Sequence, residues 1–360
     1  MRAGERRAPS VVLDAETYSY THFGGAIRYL AGLATGLSQC GADVRLLAER
    51  PLREPVTHLP SGVPLVPALC GHADVWVTDH PSRVDACDAA TRVLVVHDLL
   101  QWDPIVEVPS TSTLGHTWQQ LADAVQAADL VVTVSDSTRR ALRGRINPWV
   151  TVPTLTVPHS SSLSPSGLAR TSQRESLVLH VGGRAGYKRF DLLLAALARW
   201  EDNRAVQLVN VGGPARFAPK ELASIAALGL TDRVHAAGFV SDEDLVGWYE
   251  RARVVAVVSD GEGFGLPMLE ALTLGASLVA PDLPVTYEVT RGAAETFQPG
   301  DSVSLTAALR RAWARRPQGH GSARGHDRAW SWEQAGRSVL AAATEVAPIV
   351  RIRAGERMSR

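Results

Sequence analysis

Residues 254–282 read VVAVVSDGEGFGLPMLEALTLGASLVAPD. An apolar run of strand type comes first, a glycine-rich turn follows, and a helical segment then leads into a second apolar run. Pro267 favours a helix start at this point, because proline has no N–H to lose in the first helical turn. The stretch therefore predicts a β-α-β unit, with strands over 254–260 and 277–282 and a helix over 267–275.

The same alternation of strand and helix runs through most of the chain. In the first half the pattern predicts strands over 11–16, 43–49, 74–79, 92–98 and 129–136. In the second half it predicts further strands over 176–183, 206–213 and 234–240, with segments of helical spacing between them. Repeated units of this kind form a parallel sheet with helices on both faces. We therefore predict an α/β protein with two doubly wound, Rossmann-like domains that face one another across a cleft.

A stretch without periodicity separates the two halves. Residues 158–175 are rich in Ser and Pro, which is typical of a linker or a long loop. We expect a first domain over 1–165 and a second over 166–335. The remaining residues, 336–360, are expected to form a C-terminal helix or tail that could pack back on the first domain.

Charge and apolar content narrow the class of protein. Lys plus Arg and Asp plus Glu each total 37 among 360 residues, so no charge excess favours nucleic acid or an anionic membrane. No apolar run is long enough to span a bilayer, and the N-terminus lacks the apolar core of a signal peptide. Cys40, Cys70 and Cys87 lack metal-ligand spacing and fit a reducing compartment. We expect a cytoplasmic protein whose association with membranes is at most peripheral.

Ligands of open parallel sheets bind at the carboxyl ends of the strands, so the residues that follow each strand carry the functional prediction. Gly183 ends the predicted strand over 176–183. Arg184 is the next residue, and Lys188 follows four residues later. A glycine lets the backbone approach a ligand, and an arginine fork beside a lysine suits a diphosphate. The alternative interpretation is that both cations are solvated surface charges.

Two acids, Glu262 and Glu270, bracket the helix start in the stretch quoted above. The amides of the GEGFG turn would be exposed at the positive end of the helix, an arrangement that binds anions. Glu270 lies about one turn into the helix, where it can accept hydrogen bonds from a vicinal diol such as a ribose. One alternative is an acid stabilised only by the helix dipole, and another is the acid pair of a glycoside hydrolase. A glycoside hydrolase does not bind a diphosphate and so does not need the basic residues at 184 and 188, which disfavours the hydrolase.

Candidates in the first half are fewer. Gly24 and Gly25 precede a predicted helix, and His97 ends the strand over 92–98. A histidine at the end of an apolar strand is either a structural residue or a ligand contact, and the sequence leaves both open. The paired glycines are not the three-glycine fingerprint that a nicotinamide-dependent oxidoreductase requires.

Several motifs, taken in order, resemble those of a known family. They are FGGAIRYLAGLATGL, VVHDLLQWDP, HVGGRAGYKRFDLLLAAL, SDGEGFGLPMLEALTLG and the terminal SWEQAG. The chain is similar over nearly its whole length to the retaining glycosyltransferases of family four, which have the GT-B fold. The most specific element resembles that family's E-x7-E signature, with Glu262 and Glu270 in the two acid positions.

The resemblance implies a role for each candidate residue. The first domain would bind the acceptor, and the second would bind a nucleoside diphosphate sugar. The catalytic positions would be Glu262, His97, Lys188 and Arg184. The donor-binding positions would be Gly25, Gly183, Gly263, Phe264, Gly265, Leu266 and Glu270. Within these sets Arg184 and Lys188 would neutralise the diphosphate, Glu270 would hold the ribose, and His97 would lie near the reacting carbon.

The same resemblance implies a metal-independent retaining hexosyltransferase with no cofactor beyond its donor. The YKRFDLLL form of the basic motif is similar to that of mannosyltransferases, which favours GDP-mannose over a UDP-hexose. The acceptor would be a hydroxyl of a glycan, a lipid-linked intermediate or a secondary metabolite. A catalytically degenerate GT-B subunit that serves as a partner or scaffold is the alternative function.

Overall fold

The computed structural model describes residues 7–16, 24–50, 60–68, 71–100, 118–146, 151–166, 174–184, 186–200, 202, 205–315 and 330–358, with side chains in the last range up to residue 347. Cys70 lies outside these residues. The chain divides into two compact units. The first contains residues 1–102, 111–160 and 330–360, and the second contains residues 103–110 and 161–329.

Within the described residues, the first unit contains a sheet of seven parallel strands. Its strands are β1 (Ser10–Asp14), β2 (Asp43–Leu47), β3 (Leu65–Val66), β4 (Ala73–Thr78), β5 (Ala89–Val96), β6 (Leu130–Thr133) and β7 (Thr154–Thr156). Their order across the sheet is β3-β2-β1-β4-β5-β6-β7. The order reverses direction between β1 and β4, which makes that position a topological switch point.

Four helices of the first unit are described: α1 (Gly25–Gln39), α2 (Trp118–Ala127), α3 (Asp136–Arg145) and α10 (Trp332–Met358). Helix α1 buries Ile27, Leu30, Leu33, Ala34 and Leu37, whose spacing puts them on one face. Helix α3 begins where Ser135 Oγ accepts a hydrogen bond from the Thr138 amide at 2.9 Å, as the N-cap preference of serine predicts.

Helix α10 crosses α1 where both helices carry glycine. A Cβ on Gly32 would overlap the indole ring of Trp332, and one on Gly36 would overlap the Trp332 carbonyl oxygen. Gly336 lies against the backbone of Gly36. The C-terminal helix therefore packs backbone to backbone on the first helix of the same unit, and it also contacts β5, where the Thr91 hydroxyl donates to the Ala343 carbonyl at 3.3 Å.

The described part of the second unit forms a sheet of six parallel strands in the order β10-β9-β8-β11-β12-β13. The strands are β8 (Glu175–Val181), β9 (Gln207–Val211), β10 (Val234–Gly238), β11 (Ala252–Ala256), β12 (Ser277–Pro281) and β13 (Glu295–Phe297). The helices are α4 (Phe190–Ala198), α5 (Pro219–Ala227), α6 (Asp242–Arg251), α7 (Leu266–Thr273), α8 (Pro284–Thr290) and α9 (Ser302–Ala314). The switch point of this sheet lies between β8 and β11.

The two parallel sheets confirm the predicted α/β fold class. The differences are local. Strands β3, β7 and β13 were not predicted, because they are two or three residues long and show no periodicity. Helix α7 covers Leu266–Thr273, so the predicted range of 267–275 was shifted towards the C-terminus.

Candidate functional site

The candidate residues divide between the two units. Gly25 and His97 lie in the first unit, and the other predicted site residues lie in the second. In the second unit, β8 and β11 are neighbours, with Val178 opposite Val254 and Leu179 opposite Val255. The loops that follow these two strands therefore leave the sheet side by side at the switch point, where parallel sheets bind ligands.

The backbone of the first loop is tied to that of the second. The Asp260 amide donates a hydrogen bond to the Tyr187 carbonyl at 2.8 Å, and the Arg189 guanidinium contacts the Asp260 carboxylate at 3.1 Å. Arg189 adopts a φ of 47° and precedes helix α4. These contacts fix the loop that follows β8, which contains Lys188, against the glycine-rich loop that follows β11, which contains Glu262.

The same two loops are joined by a charged pair. Lys188 Nζ lies 2.8 Å from Glu262 Oε1, and the Ser259 hydroxyl donates to the same oxygen at 2.5 Å. The exposed side-chain fractions are 22% for Lys188 and 11% for Glu262, so the pair is only partly solvated. The alternative of a solvated surface charge does not describe Lys188, because Glu262 holds its ammonium group.

Helix α7 begins directly after this pair. Gly265 precedes it with a φ of 82°, and a Cβ at this position would overlap the Met268 side chain. The positive φ favours glycine here, whereas the overlap involves only the flexible end of Met268. The turn brings the amides of residues 263–266 to the helix N-terminus, whose partial positive charge favours an anion. Phe264 is buried and anchors the turn.

Glu270 lies one turn into α7 and is buried, with 2% of its surface exposed. Its Oε2 accepts a hydrogen bond from the Tyr249 hydroxyl at 2.6 Å, and Tyr249, on α6, is itself fully buried. A buried carboxylate requires such a partner. The structure thus places the second acid of the signature inside the unit and against a tyrosine. Its predicted contact with a ribose stays a prediction.

Arg184 follows β8, but its side chain is enclosed within the second unit. Its side chain is 5% exposed, and its guanidinium donates to Glu221, Asn210 Oδ1 and the carbonyls of Pro214 and Arg216, at 2.8–3.4 Å. These contacts engage all five N–H groups of the fork. The alternative of a solvated surface charge is therefore wrong, and the predicted diphosphate contact stays a prediction.

His180 lies in β8 and contacts Asn210, the same side chain that accepts a hydrogen bond from Arg184. It is 2% exposed, and its Nδ1 lies 3.0 Å from Asn210 Nδ2. Burial lowers the pKa of His180 to about 3, with further contributions from Lys188 and Arg184, so the ring is neutral. Partial burial is the largest single influence on the pKa of Glu221 and raises it, but hydrogen bonds from Arg184 and the Ala218 amide, with the charge of Arg184, together lower this pKa below its usual value.

In the first unit, His97 follows β5 and lies beside Asp79, which follows β4. His97 Nε2 is 3.4 Å from Asp79 Oδ2, and the Tyr29 ring meets the imidazole edge-on at a centroid distance of 5.3 Å. His159 also meets the Tyr29 ring, at a centroid distance of 4.8 Å, and burial lowers the pKa of His159 well below the usual value. Gly25 is the first residue of α1, and a Cβ there would meet no atom within 4 Å.

Sequence reasoning missed several residues that hold the candidate groups. Tyr249 and Asn210 carry no local signal, because their partners are distant along the chain and meet them only through the fold. Ser259 was identifiable, since it lies near the end of the predicted strand over 254–260, three residues before Glu262. Arg174 was also missed: its guanidinium donates to the carbonyls of Tyr249, Ala252 and Leu274, at the C-terminal ends of α6 and α7.

Comparison with known proteins identifies relatives of the second unit in particular. Residues 175–315 match the family model described as Glycosyl transferases group 1. A D-inositol 3-phosphate glycosyltransferase of Geodermatophilus obscurus is 36% identical over 182 residues, which cover 48% of this chain and 40% of the relative. The O-antigen chain mannosyltransferase RfbU of Salmonella typhimurium is 27% identical over 150 residues, covering 42% of each chain. The chain thus spans about two fifths of the length of these curated relatives.

The fold has solved counterparts as well. Sucrose-phosphate synthase of Thermosynechococcus elongatus superimposes with a TM-score of 0.72 at 20% identity, covering 94% of this chain and 99% of that one. The family match over residues 175–315 and the fold likeness support a glycosyltransferase similar to the GT-B enzymes of group 1, family four. The resemblance drawn from the sequence motifs is confirmed.

No group of three or more His, Cys, Asp or Glu side chains in the described part of the chain is arranged to hold a metal ion. Within the same part, no helix combines the length and the apolar character needed to cross a bilayer.

Proposed function

We propose that the protein transfers a hexosyl group from a nucleoside diphosphate sugar to a hydroxyl acceptor, with retention of anomeric configuration and without a metal ion. The second domain, over 166–335, would bind the donor, and the first, over 1–165, would bind the acceptor. The observation that carries the proposal is the contact of Lys188 with Glu262 beside the N-terminus of α7. The family match covers this segment.

In the proposed reaction, the bond between the anomeric carbon and the diphosphate breaks, and a bond to the acceptor oxygen forms on the same face. The acceptor proton passes to the departing phosphate oxygen. Negative charge grows on the leaving diphosphate, so a lysine ammonium and helix amides that are already in place lower the barrier. Glu262 and Ser259 contribute by fixing the position of Lys188 before the donor binds.

The donor is proposed to be GDP-mannose in preference to a UDP-hexose. Support comes from the basic motif and from the similarity to a mannosyltransferase. His97 would lie near the reacting carbon, oriented by Asp79, and Gly25 would approach the diphosphate. The acceptor would be a glycan, a lipid-linked intermediate or a secondary metabolite, and the reaction would take place in the cytoplasm.

The test is a transfer assay in the presence of EDTA. The purified protein is incubated with GDP-mannose, UDP-glucose or UDP-N-acetylglucosamine and a panel of inositol phosphates, lipid-linked sugars and phenolic glycosides. Mass spectrometry detects the added hexose, and NMR reads the anomeric configuration. Transfer from GDP-mannose with retained configuration is expected. An inverted product, or transfer that depends on a divalent cation, contradicts the corresponding part of the proposal.

One observation favours a second candidate function, a GT-B subunit that binds a nucleotide sugar or a partner without transferring the sugar. The guanidinium of Arg184 is engaged by Glu221, Asn210 and two carbonyls, so it reaches a diphosphate only if some of these bonds break. For this candidate we expect binding of GDP or UDP, detected calorimetrically, with no transfer from any of the three donors.

A further inference from the structure

We propose that Tyr249 is a positioning residue of the donor site, which orients the carboxylate of Glu270 towards the ribose of the nucleotide. The proposal rests on the proposed function, and it adds a residue that the signature motif does not contain. Tyr249 precedes Glu270 by 21 positions and reaches it from a different helix.

The contact has the geometry of a strong hydrogen bond. The Tyr249 hydroxyl donates to Glu270 Oε2 at 2.6 Å, a distance typical of a hydroxyl bound to a carboxylate. Tyr249 is 0% exposed and Glu270 is 2% exposed, so water does not compete for this bond. A hydrogen bond in such surroundings is stronger than one at the surface.

The two helices that carry the pair are held in register by a third residue. Arg174 donates to the Tyr249 and Ala252 carbonyls at 2.6 and 2.8 Å, and to the Leu274 carbonyl at 2.6 Å. These carbonyls lie at the C-terminal ends of α6 and α7, where a cation is also favoured by the helix dipoles. Burial lowers the pKa of Arg174, which is the cost of placing its guanidinium here.

A ribose clamp needs a carboxylate with a defined plane, because the 2′ and 3′ hydroxyls of a ribose lie in a fixed relation to one another. A free glutamate side chain has three rotatable bonds, whereas one oxygen of Glu270 is fixed by a tyrosine whose ring is completely buried. The rigid partner reduces the entropy lost when the ligand binds. A carboxylate held in this way suits the two hydroxyls of a cis-diol, which is the ligand that the proposed function supplies.

The test compares ribose recognition in the native protein and in Tyr249→Phe, which keeps the ring and removes only the hydroxyl. Calorimetry measures the Kd of GDP, of UDP and of their 2′,3′-dideoxy counterparts. We expect Tyr249→Phe to weaken binding of the ribonucleotides by at least about tenfold, the loss that one charge-assisted hydrogen bond implies. Binding of the dideoxynucleotides should change by less than about twofold, because they lack the hydroxyls that the carboxylate would accept.

Tyr287→Phe is the matched control. Tyr287 lies in the same unit, is 49% exposed, and its hydroxyl contacts Asp282 at 2.9 Å. This variant should bind all four nucleotides as the native protein does. A second variant, Glu270→Gln, should lose the preference for ribose over dideoxyribose in the same way as Tyr249→Phe.

The outcomes separate this inference from the function on which it rests. If Tyr249→Phe loses affinity equally for ribose and dideoxyribose ligands, the hydroxyl supports only the fold, and the inference is overturned. If its affinities equal the native values, the inference is overturned as well. If the native protein binds none of the four nucleotides, both the proposed function and this inference fail. A changed preference between ribose and dideoxyribose is the one result that supports the positioning role.

Discussion

Lys188 Nζ lies 2.8 Å from Glu262 Oε1, and this contact joins the loop after β8 to the loop after β11. The two residues are 74 positions apart in the chain, yet they meet because their strands are neighbours in the sheet. Glu262, which also accepts a hydrogen bond from Ser259, holds the Lys188 ammonium group in a fixed position before an anion binds. The contact explains why the chain contains both the basic motif around Lys188 and the acidic motif around Glu262: the two motifs meet in the folded unit.

Removal of this cation should weaken binding of the donor nucleotide. We expect Lys188→Ala to raise the Kd of GDP and UDP by roughly 10- to 100-fold, the range for one hydrogen bond to a charged group. Isothermal titration calorimetry measures the effect. Lys220→Ala is the control, because Lys220 is exposed on α5 of the same unit, and it should bind as the native protein does. Equal affinities for Lys188→Ala and the native protein would falsify the assignment of the diphosphate to this lysine.

The crossing of α1 and α10 should not tolerate a side chain at Gly36. In Gly36→Ala the new methyl group overlaps the Trp332 carbonyl, so the helices must separate, and we expect a loss of about 1–3 kcal/mol in the free energy of unfolding. Gly144→Ala is the matched control in α3 of the same unit, where a Cβ meets no atom within 4 Å. It should stabilise the protein by up to about 1 kcal/mol. Urea unfolding followed by circular dichroism measures both, and an unchanged midpoint for Gly36→Ala would contradict the close crossing.

Two buried histidines should make the protein sensitive to acid. The pKa of His180 is about 3 in the folded state and near 6.5 in the unfolded chain, so between these values the unfolded state binds the extra proton. Stability therefore falls as the pH is lowered through this window, by about 1.4 kcal/mol per pH unit for His180, or about 2 kcal/mol at pH 5. Burial also lowers the pKa of His159, which adds to the effect in the same direction.

The variant His180→Gln isolates one of these contributions. Between pH 6.5 and pH 4, its unfolding free energy should depend less steeply on pH than that of the native protein. His235→Gln is the control, since His235 is exposed and contacts Gln207 at the surface. Chemical unfolding at a series of pH values gives the slopes. Parallel curves for His180→Gln and the native protein would show that the buried ring does not resist protonation.

Arg184 should contribute more to stability than a surface arginine. In Arg184→Lys, one ammonium group replaces a guanidinium that reaches Glu221, Asn210 and two carbonyls, so buried acceptors are left without donors. We expect a loss of about 3 kcal/mol, the scale of breaking a buried ion pair. Arg310→Lys, at an exposed pair with Asp202, should change stability by less than about 0.5 kcal/mol. Thermal and urea unfolding compare the two variants, and equal effects would show that burial does not distinguish the pairs.

Much of the fold could be predicted from local pattern. The apolar runs before Gly182, Gly212 and Ser259 all form strands in the sheet of the second unit. They could be predicted because each run is long enough to show strand composition and ends at glycine or serine. Strands β3 and β13 could not be predicted, since two or three residues carry no periodicity. The start of α7 was predicted to within one residue, because Pro267 marks its first turn.

The candidate site was predictable in its members but not in their partners. Lys188, Glu262 and Glu270 were identified because they follow strand ends or a glycine-rich turn. Nothing local indicates that Tyr249 holds Glu270, or that Arg184 is enclosed by residues of β9 and α5. Such contacts depend on which strands are neighbours, which no short stretch of sequence encodes.

The sequence by itself determined the class of fold, the resemblance to a family and the residue types available for chemistry, because strand and helix periodicity and the E-x7-E motif are local properties. The tertiary structure alone decided which of those residues are buried and what each one contacts. It put Glu270 against a buried tyrosine, placed Arg184 within an ion pair, and brought Lys188 to Glu262. The physical reason is that burial and pairing arise from the order of strands in the sheet, and the free energy of a charged group depends on these surroundings more than on its neighbours in the chain.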